Sequence, residues 1–182
     1  MAEVKTTPAT TPWGKILEAK PVSGIPYPSL REILISGLGG LLIVGLLNFV
    51  SLETDIVKAF IVPFGATAVL VFAAPAAPFS QPRNFFGGHL ISAASGIVVM
   101  LLFNEVSWWT LALANGLAIA LMVATKCVHP PAGATALLPV VNNVTSFTWL
   151  LTPVLVGCLI ILVVALLYNN VWSKRKYPVF WF

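Results

Sequence analysis

Apolar residues in this chain do not alternate with polar ones; they run in blocks separated by short polar knots. The long blocks cover 33–50, 56–77, 85–103, 106–125 and 147–168, and a shorter one covers 130–141. A helix needs about 20 mostly apolar residues to cross a bilayer, so each long block predicts a transmembrane helix. The short block cannot cross alone and predicts a re-entrant or broken helix. Composition agrees, with 58% hydrophobic and 9% charged residues, where soluble domains carry about a quarter charged.

The few charges set a topology. Lys5, Lys15, Lys20 and Arg31 precede the first block, Glu53 and Asp55 follow it, and Arg83 precedes the third. Glu105, Lys126, an uncharged "NNVTSFTW" and the terminal "SKRKYP" complete the series. Basic connections stay on the cytoplasmic side. The alternation therefore predicts six crossings, with the 130–141 block counted as one and both termini cytoplasmic. Residues 1–30 read as a cytoplasmic N-terminal tail, 31–172 as a transmembrane domain and 173–182 as a cytoplasmic C-terminal tail. The tail has neither the apolar core of a signal peptide nor, given Glu3 and Glu18, the character of a transit peptide. The formal net charge of +4 belongs to this topology rather than to nucleic-acid binding. Cys127 and Cys158 lie in apolar surroundings without zinc-type spacing and read as packed thiols, so no metal or cofactor is expected.

Within the blocks one element occurs twice. "KAFIVPFGATAVL" at 58–70 and "KCVHPPAGATALL" at 126–138 share seven of thirteen positions, 68 residues apart. Each copy falls in the second of three apolar segments. The fold expected is thus an all-α membrane protein of about six transmembrane segments, built as a 3+3 inverted repeat (31–104 and 105–172) with broken or re-entrant helices at the two PxGATA motifs. An odd number of crossings per repeat inverts one copy relative to the other, a design that puts a site near the midplane at the repeat interface. The plainer reading is helix packing, which Ser36-x₃-Gly40, Ser92-x₃-Gly96 and Ala112-x₃-Gly116 offer elsewhere. Such small-residue faces are also compatible with a homo-oligomer.

The motif has a chemistry. Proline is tolerated where a helix begins, so Pro63 and Pro131 predict helix starts inside the membrane. Gly65 and Gly133 permit close approach, and Thr67 and Thr135 place a hydroxyl near unpaired, electropositive N–H groups. Such a start favours a small anion. Lys126 either lines the pathway or snorkels, as does Lys58. His129 aligns with Ile61 and so lies outside the repeated identities; it either carries protons or caps the following helix. His89 is a second proton carrier candidate, and Arg83 is an anion ligand or a topology signal.

"HPPAGATALL" at 129–138 resembles the signature of the HPP family of integral membrane proteins, and "QPRNFFGGHLISA" at 81–93 is similar to that family's second marked stretch. The resemblance covers roughly 31–170 and implies transport of nitrite or a similar small monovalent anion, as described for cyanobacterial and chloroplast-envelope members. The absence of a transit peptide points to a bacterial cytoplasmic (inner) membrane. The family is usually described with four membrane helices; in that arrangement the motif segments become re-entrant hairpins or buried loops.

The function expected is therefore multi-pass transport of a small anion through a midplane site of paired helix N-termini. The alternatives are a non-transporting scaffold or subunit, and an intramembrane enzyme using Cys127 or His129. An enzyme needs a nucleophile, a base and an orienting carboxylate, yet Glu53, Asp55 and Glu105 all fall at loop ends. The chain is expected not to be an enzyme.

Overall fold

The computed structural model describes residues 27–54 and 61–181. Most of the N-terminal tail, and Lys58, lie outside the described residues. Within them there are only helices and turns: α1 (Leu30–Thr54), α2 (Ile61–Ala73), α3 (Pro82–Phe103), α4 (Trp108–Ala124), α5 (Ala132–Val141) and α6 (Val156–Leu166). Short 3₁₀ and π turns flank α6 and make Phe147–Trp172 one apolar stretch. Leu30–Ser51, Pro82–Phe103 and Phe147–Trp172 are long and apolar enough to cross a bilayer. At 1.5 Å per residue, the 10 residues of α5 give only about 15 Å, against a hydrocarbon core of roughly 30 Å.

The second block, expected to be helical over 56–77, stops being helical at Ala73. Pro75 and Pro78 lack the N–H that would continue the ladder. A turn closes the end instead: the buried Ser80 hydroxyl donates to the carbonyls of Leu70 (3.0 Å) and Ala74 (2.7 Å). Gln81 donates to Pro75 and Ala77, each at 2.9 Å, and accepts from the Val179 N–H at 2.7 Å. The C-terminal segment is therefore a docked strap over this turn. Arg175 donates to the Phe72 carbonyl at 2.9 Å, and the Tyr177 hydroxyl to that of Ser80 at 2.7 Å. Burial pushes the Tyr177 hydroxyl pKa up, so it stays a neutral donor.

Polar residues punctuate the other helices. Ser107 and Thr110 form a reciprocal capping box at the start of α4. Asn104, Lys126, Asn143 and Lys174 each take a left-handed backbone where a helix ends; asparagine tolerates this conformation best among residues with a Cβ. The core forms around α3, whose apolar window is 56% buried against 17% for α1. α3 packs on α4 and α5, and α1 packs on α2. Gly96 is where α3 and α5 meet most closely: a Cβ there would stand 2.3 Å from the Ala136 carbonyl oxygen. Of the three small-residue faces expected to pack, the Ser92–Gly96 pair is buried, whereas added carbon at Gly40 or Gly116 would meet nothing within 4 Å.

Candidate functional site

Two consecutive glycines on α3 let the connection between α4 and α5 lie directly on the helix. A Cβ at Gly87 would sit 2.7 Å from Cys127 Sγ, and one at Gly88 would sit 2.6 Å from His129 Cβ. Two neighbours pin the connection down: Asn84 donates to the Val128 carbonyl at 2.8 Å and Arg83 to that of Thr125 at 3.1 Å. His129 is thereby driven into the protein, where it is fully buried.

There it completes a chain of side chains from four separate parts of the fold. His129 Nδ1 lies 2.7 Å from the Phe79 carbonyl oxygen, and its Nε2 lies 2.9 Å from Thr67 Oγ1 on α2. Thr67 Oγ1 is also 2.9 Å from His89 Nε2 on α3, and His89 Nδ1 is 2.7 Å from Thr135 Oγ1 on α5. All four side chains have no exposed surface. Phe64 stands edge-on to His89 (ring centroids 5.1 Å apart), and Phe85 flanks His129 at 6.2 Å.

The network fixes its own proton order. A carbonyl can only accept, so His129 Nδ1 carries hydrogen and donates to Phe79. In the neutral ring Nε2 is then bare and can accept from the Thr67 hydroxyl. With its one hydrogen used, Thr67 accepts from His89 Nε2–H, and the bare His89 Nδ1 accepts from Thr135. Every donor in the row points the same way, from Thr135 toward Phe79.

The residues singled out from the sequence separate into two groups. Thr67, His89, His129 and Thr135 come together, and the Pro63 carbonyl lies 3.0 Å from Thr67 Oγ1. Pro131 is the buried N-cap of α5. Gly65 borders a groove between α1 and α2, with Ser36, Gly37 and Gly40, and takes no part in the chain. Arg83 holds the α4–α5 connection, and Lys126 is exposed at the end of α4. His129 reaches across to the other motif rather than capping its own helix.

The first N–H groups of α5, expected to be free, are engaged within the turn. Those of Ala132, Gly133 and Ala134 donate to the carbonyls of His129 (2.9 Å), Pro130 (3.1 Å) and Pro131 (3.2 Å). The reason is the 3₁₀-like tightening that two prolines impose at the helix start. The helix end still contributes its partial positive charge. His89 is the eighth of the 22 residues of α3. At about 1.5 Å per residue it lies roughly 10 Å from the Arg83 end and about 5 Å from the middle of the helix.

Two groups near the row are not among the residues singled out from the sequence. The Phe79 carbonyl is a backbone acceptor that no residue type announces. Asn115, a lone amide in the apolar "LALANGLAIAL", has a buried Oδ1 without a hydrogen-bond partner, 3.4 Å from where a Cβ on Gly133 would lie. A single asparagine amid such a run was the available signal.

Comparison with known proteins gives a family but no detailed chemistry. The HPP transmembrane region matches residues 25–178. Two proteins of Dictyostelium discoideum, each named only as a transmembrane protein, are similar to this chain. One is 40% identical over 154 residues, covering 81% of this chain and 49% of its own length. The other is 37% identical over 165 residues, covering 86% and 58%. The chain thus spans about half the length of the curated relatives it matches. Both come from a eukaryote, so they lend no support to a bacterial inner membrane. No solved structure matches. With the family's transmembrane region matched over most of its length, this chain belongs to the HPP family of integral membrane proteins.

Proposed function

We propose that the chain carries a small monovalent anion across the membrane, nitrite or a close analogue. The anion is held where the N-terminal parts of α2 and α5 meet through His89. The observation that carries this reading is the buried row Thr67–His89–Thr135 with His129, linking both PxGATA motifs inside an apolar bundle. Polar groups cost free energy to bury, and inside membranes they mark ion and substrate pathways. Packing alone would be met by apolar residues at these four positions.

The sign of the substrate follows from what surrounds the row. α2, α3, α4 and α5 carry no Asp or Glu, while hydroxyls, ring N–H groups and two helix starts supply positive potential. The Asn115 amide beside Gly133 adds a further polar contact. Nitrite in particular comes from the family resemblance. Each motif lies in the middle helix of three, a placement in keeping with an inverted 3+3 arrangement with both termini on one side. We read the chain as a transporter rather than an enzyme, since Cys127 Sγ donates to the Thr125 carbonyl at 3.4 Å instead of pairing with a histidine.

Flux of nitrite into proteoliposomes tests this directly. Thr135→Val, which keeps the shape but removes the hydroxyl, should lower flux by about tenfold, the equivalent of one buried hydrogen bond of roughly 1.4 kcal/mol. The protein should remain inserted. Unchanged nitrite flux in Thr135→Val and Thr67→Val alike would remove the site from the pathway.

A further inference from the structure

Thr67 has more partners than its single hydrogen can serve in the neutral state. Its Oγ1 lies 3.0 Å from the Pro63 carbonyl oxygen and 2.9 Å from Nε2 of both His89 and His129. With both rings neutral its one hydrogen fills either the Pro63 contact or the His129 contact, never both, and its oxygen accepts from His89. One added proton changes this. When His129 Nε2 uses its lone pair to form a second N–H bond, the Thr67 hydroxyl turns to Pro63 and its oxygen accepts from both rings. All three contacts are then filled, and His129 Nδ1–H still donates to Phe79. No bond of the protein breaks; one hydroxyl rotates.

The other protonation states fill fewer contacts. A proton on His89 Nδ1 would displace the hydrogen that Thr135 donates there, and either the Pro63 or the His129 contact would stay empty. Protons on both rings would put like charges on imidazoles whose centroids are 5.0 Å apart. The geometry therefore admits one extra proton, at His129.

That proton makes a buried cation, and among the described residues of the surrounding elements no carboxylate stands beside it; α6 brings only the buried thiol of Cys158. α2, α4 and α5 carry no titratable side chain. On α3 the only one besides His89 is Arg83, directed to the Thr125 carbonyl. In the α4–α5 connection Lys126 is exposed and the thiol of Cys127 packs on Gly87. From the C-terminal strap, Tyr177 bonds the Ser80 carbonyl and Arg175 that of Phe72. An uncompensated charge in an apolar bundle is strongly disfavoured. The counter-charge must come with the substrate.

We propose that the Thr67–His89–His129–Thr135 row binds one proton together with one monovalent anion, as a neutral pair, with the Thr67 hydroxyl as the switch between empty and loaded states. The anion half rests on the transport reading above. Transport is then electroneutral, one proton per anion, and indifferent to membrane voltage.

The test uses the full chain in liposomes with ¹⁵N-labelled histidine. At high pH the spectrum should show opposite tautomers, Nδ1–H for His129 and Nε2–H for His89, assigned with the His89→Gln variant. On acidification one imidazolium should form first, at His129. Nitrite should raise the pH at which it forms by about one unit, a tenfold change in proton affinity. Proton and nitrite fluxes should be equal and unchanged by an imposed potential. Thr67→Ser should keep all of this, and Thr67→Val should lose the nitrite-dependent shift. Identical tautomers, first protonation at His89, or nitrite flux that carries net charge would overturn the proposal while leaving nitrite transport standing. A one-proton site at His129 with no nitrite shift and no nitrite flux would instead overturn the transport reading, and the neutral pair with it.

Discussion

Replacing His89 with alanine should lower nitrite flux by about 100-fold while the protein remains inserted, and this is the largest functional effect expected of a single substitution. His89 bonds both motifs, Thr67 on α2 and Thr135 on α5. Its removal leaves two buried hydroxyls each short of a partner, at about 1–3 kcal/mol apiece. It also opens a void beneath the ring of Phe64. Two such losses near 1.4 kcal/mol each give the stated factor, at tenfold per 1.4 kcal/mol. Arg83→Gln is the contrasting variant. Arg83 is only half-buried and bonds a loop carbonyl outside the row, so its flux should fall by less than about threefold, the range of an ordinary exposed hydrogen bond. Flux assays on the two variants at matched protein density check both expectations.

Gly96→Ala should have the largest effect on stability. The added methyl would meet the Ala136 carbonyl oxygen at 2.3 Å and the Pro139 ring at 2.9 Å, and a backbone oxygen cannot rotate away. Either α3 and α5 separate, or the fold absorbs about 1–3 kcal/mol of overpacking. Separation acts on the site as well, because Ala136 adjoins Thr135, whose hydroxyl bonds His89 at 2.7 Å across the same interface. Gly116→Ala meets nothing within 4 Å and gains helix propensity, so its thermal unfolding in detergent should match or slightly exceed that of the unaltered protein. A Gly96→Ala protein that unfolds at the unaltered temperature would show that this contact is not a tight one.

These two glycines also show what the sequence could and could not reveal. Both belong to small-x₃-small patterns, and spacing alone gives them equal weight. Only the neighbour across the interface separates a packed position from an open one. Thr67 and Thr135 were legible because a duplicated motif in an apolar chain points to its own polar members. The histidines were legible as rare polar residues within membrane segments. Their partners were not, because Thr67, His89, His129 and Thr135 are brought together by the packing of α2, α3 and α5 and not by local spacing.

Local chemistry also decides details that spacing and hydropathy leave open. The apolar run over 56–77 suggests a helix as far as Ala77, but Pro75 and Pro78 outweigh hydropathy and α2 ends at Ala73. Lys126 reads equally as a pathway residue or a snorkelling one; it is exposed, with a left-handed backbone, where α4 ends. The 173–182 segment reads as a tail from its Lys-Arg-Lys run. Its hydrogen bonds through Arg175, Tyr177 and Val179 instead tie it to the turn that presents the Phe79 carbonyl to His129.

The chain has only two histidines, and both sit in the proposed site. A nitrite titration followed by ¹⁵N-histidine spectra of the protein in liposomes therefore reports on that site alone. If the anion binds where the two motifs meet, both imidazole signals shift together with a single dissociation constant, and Thr135→Val weakens that binding. Saturating nitrite that leaves both signals in place, in protein that still transports it, would contradict the account.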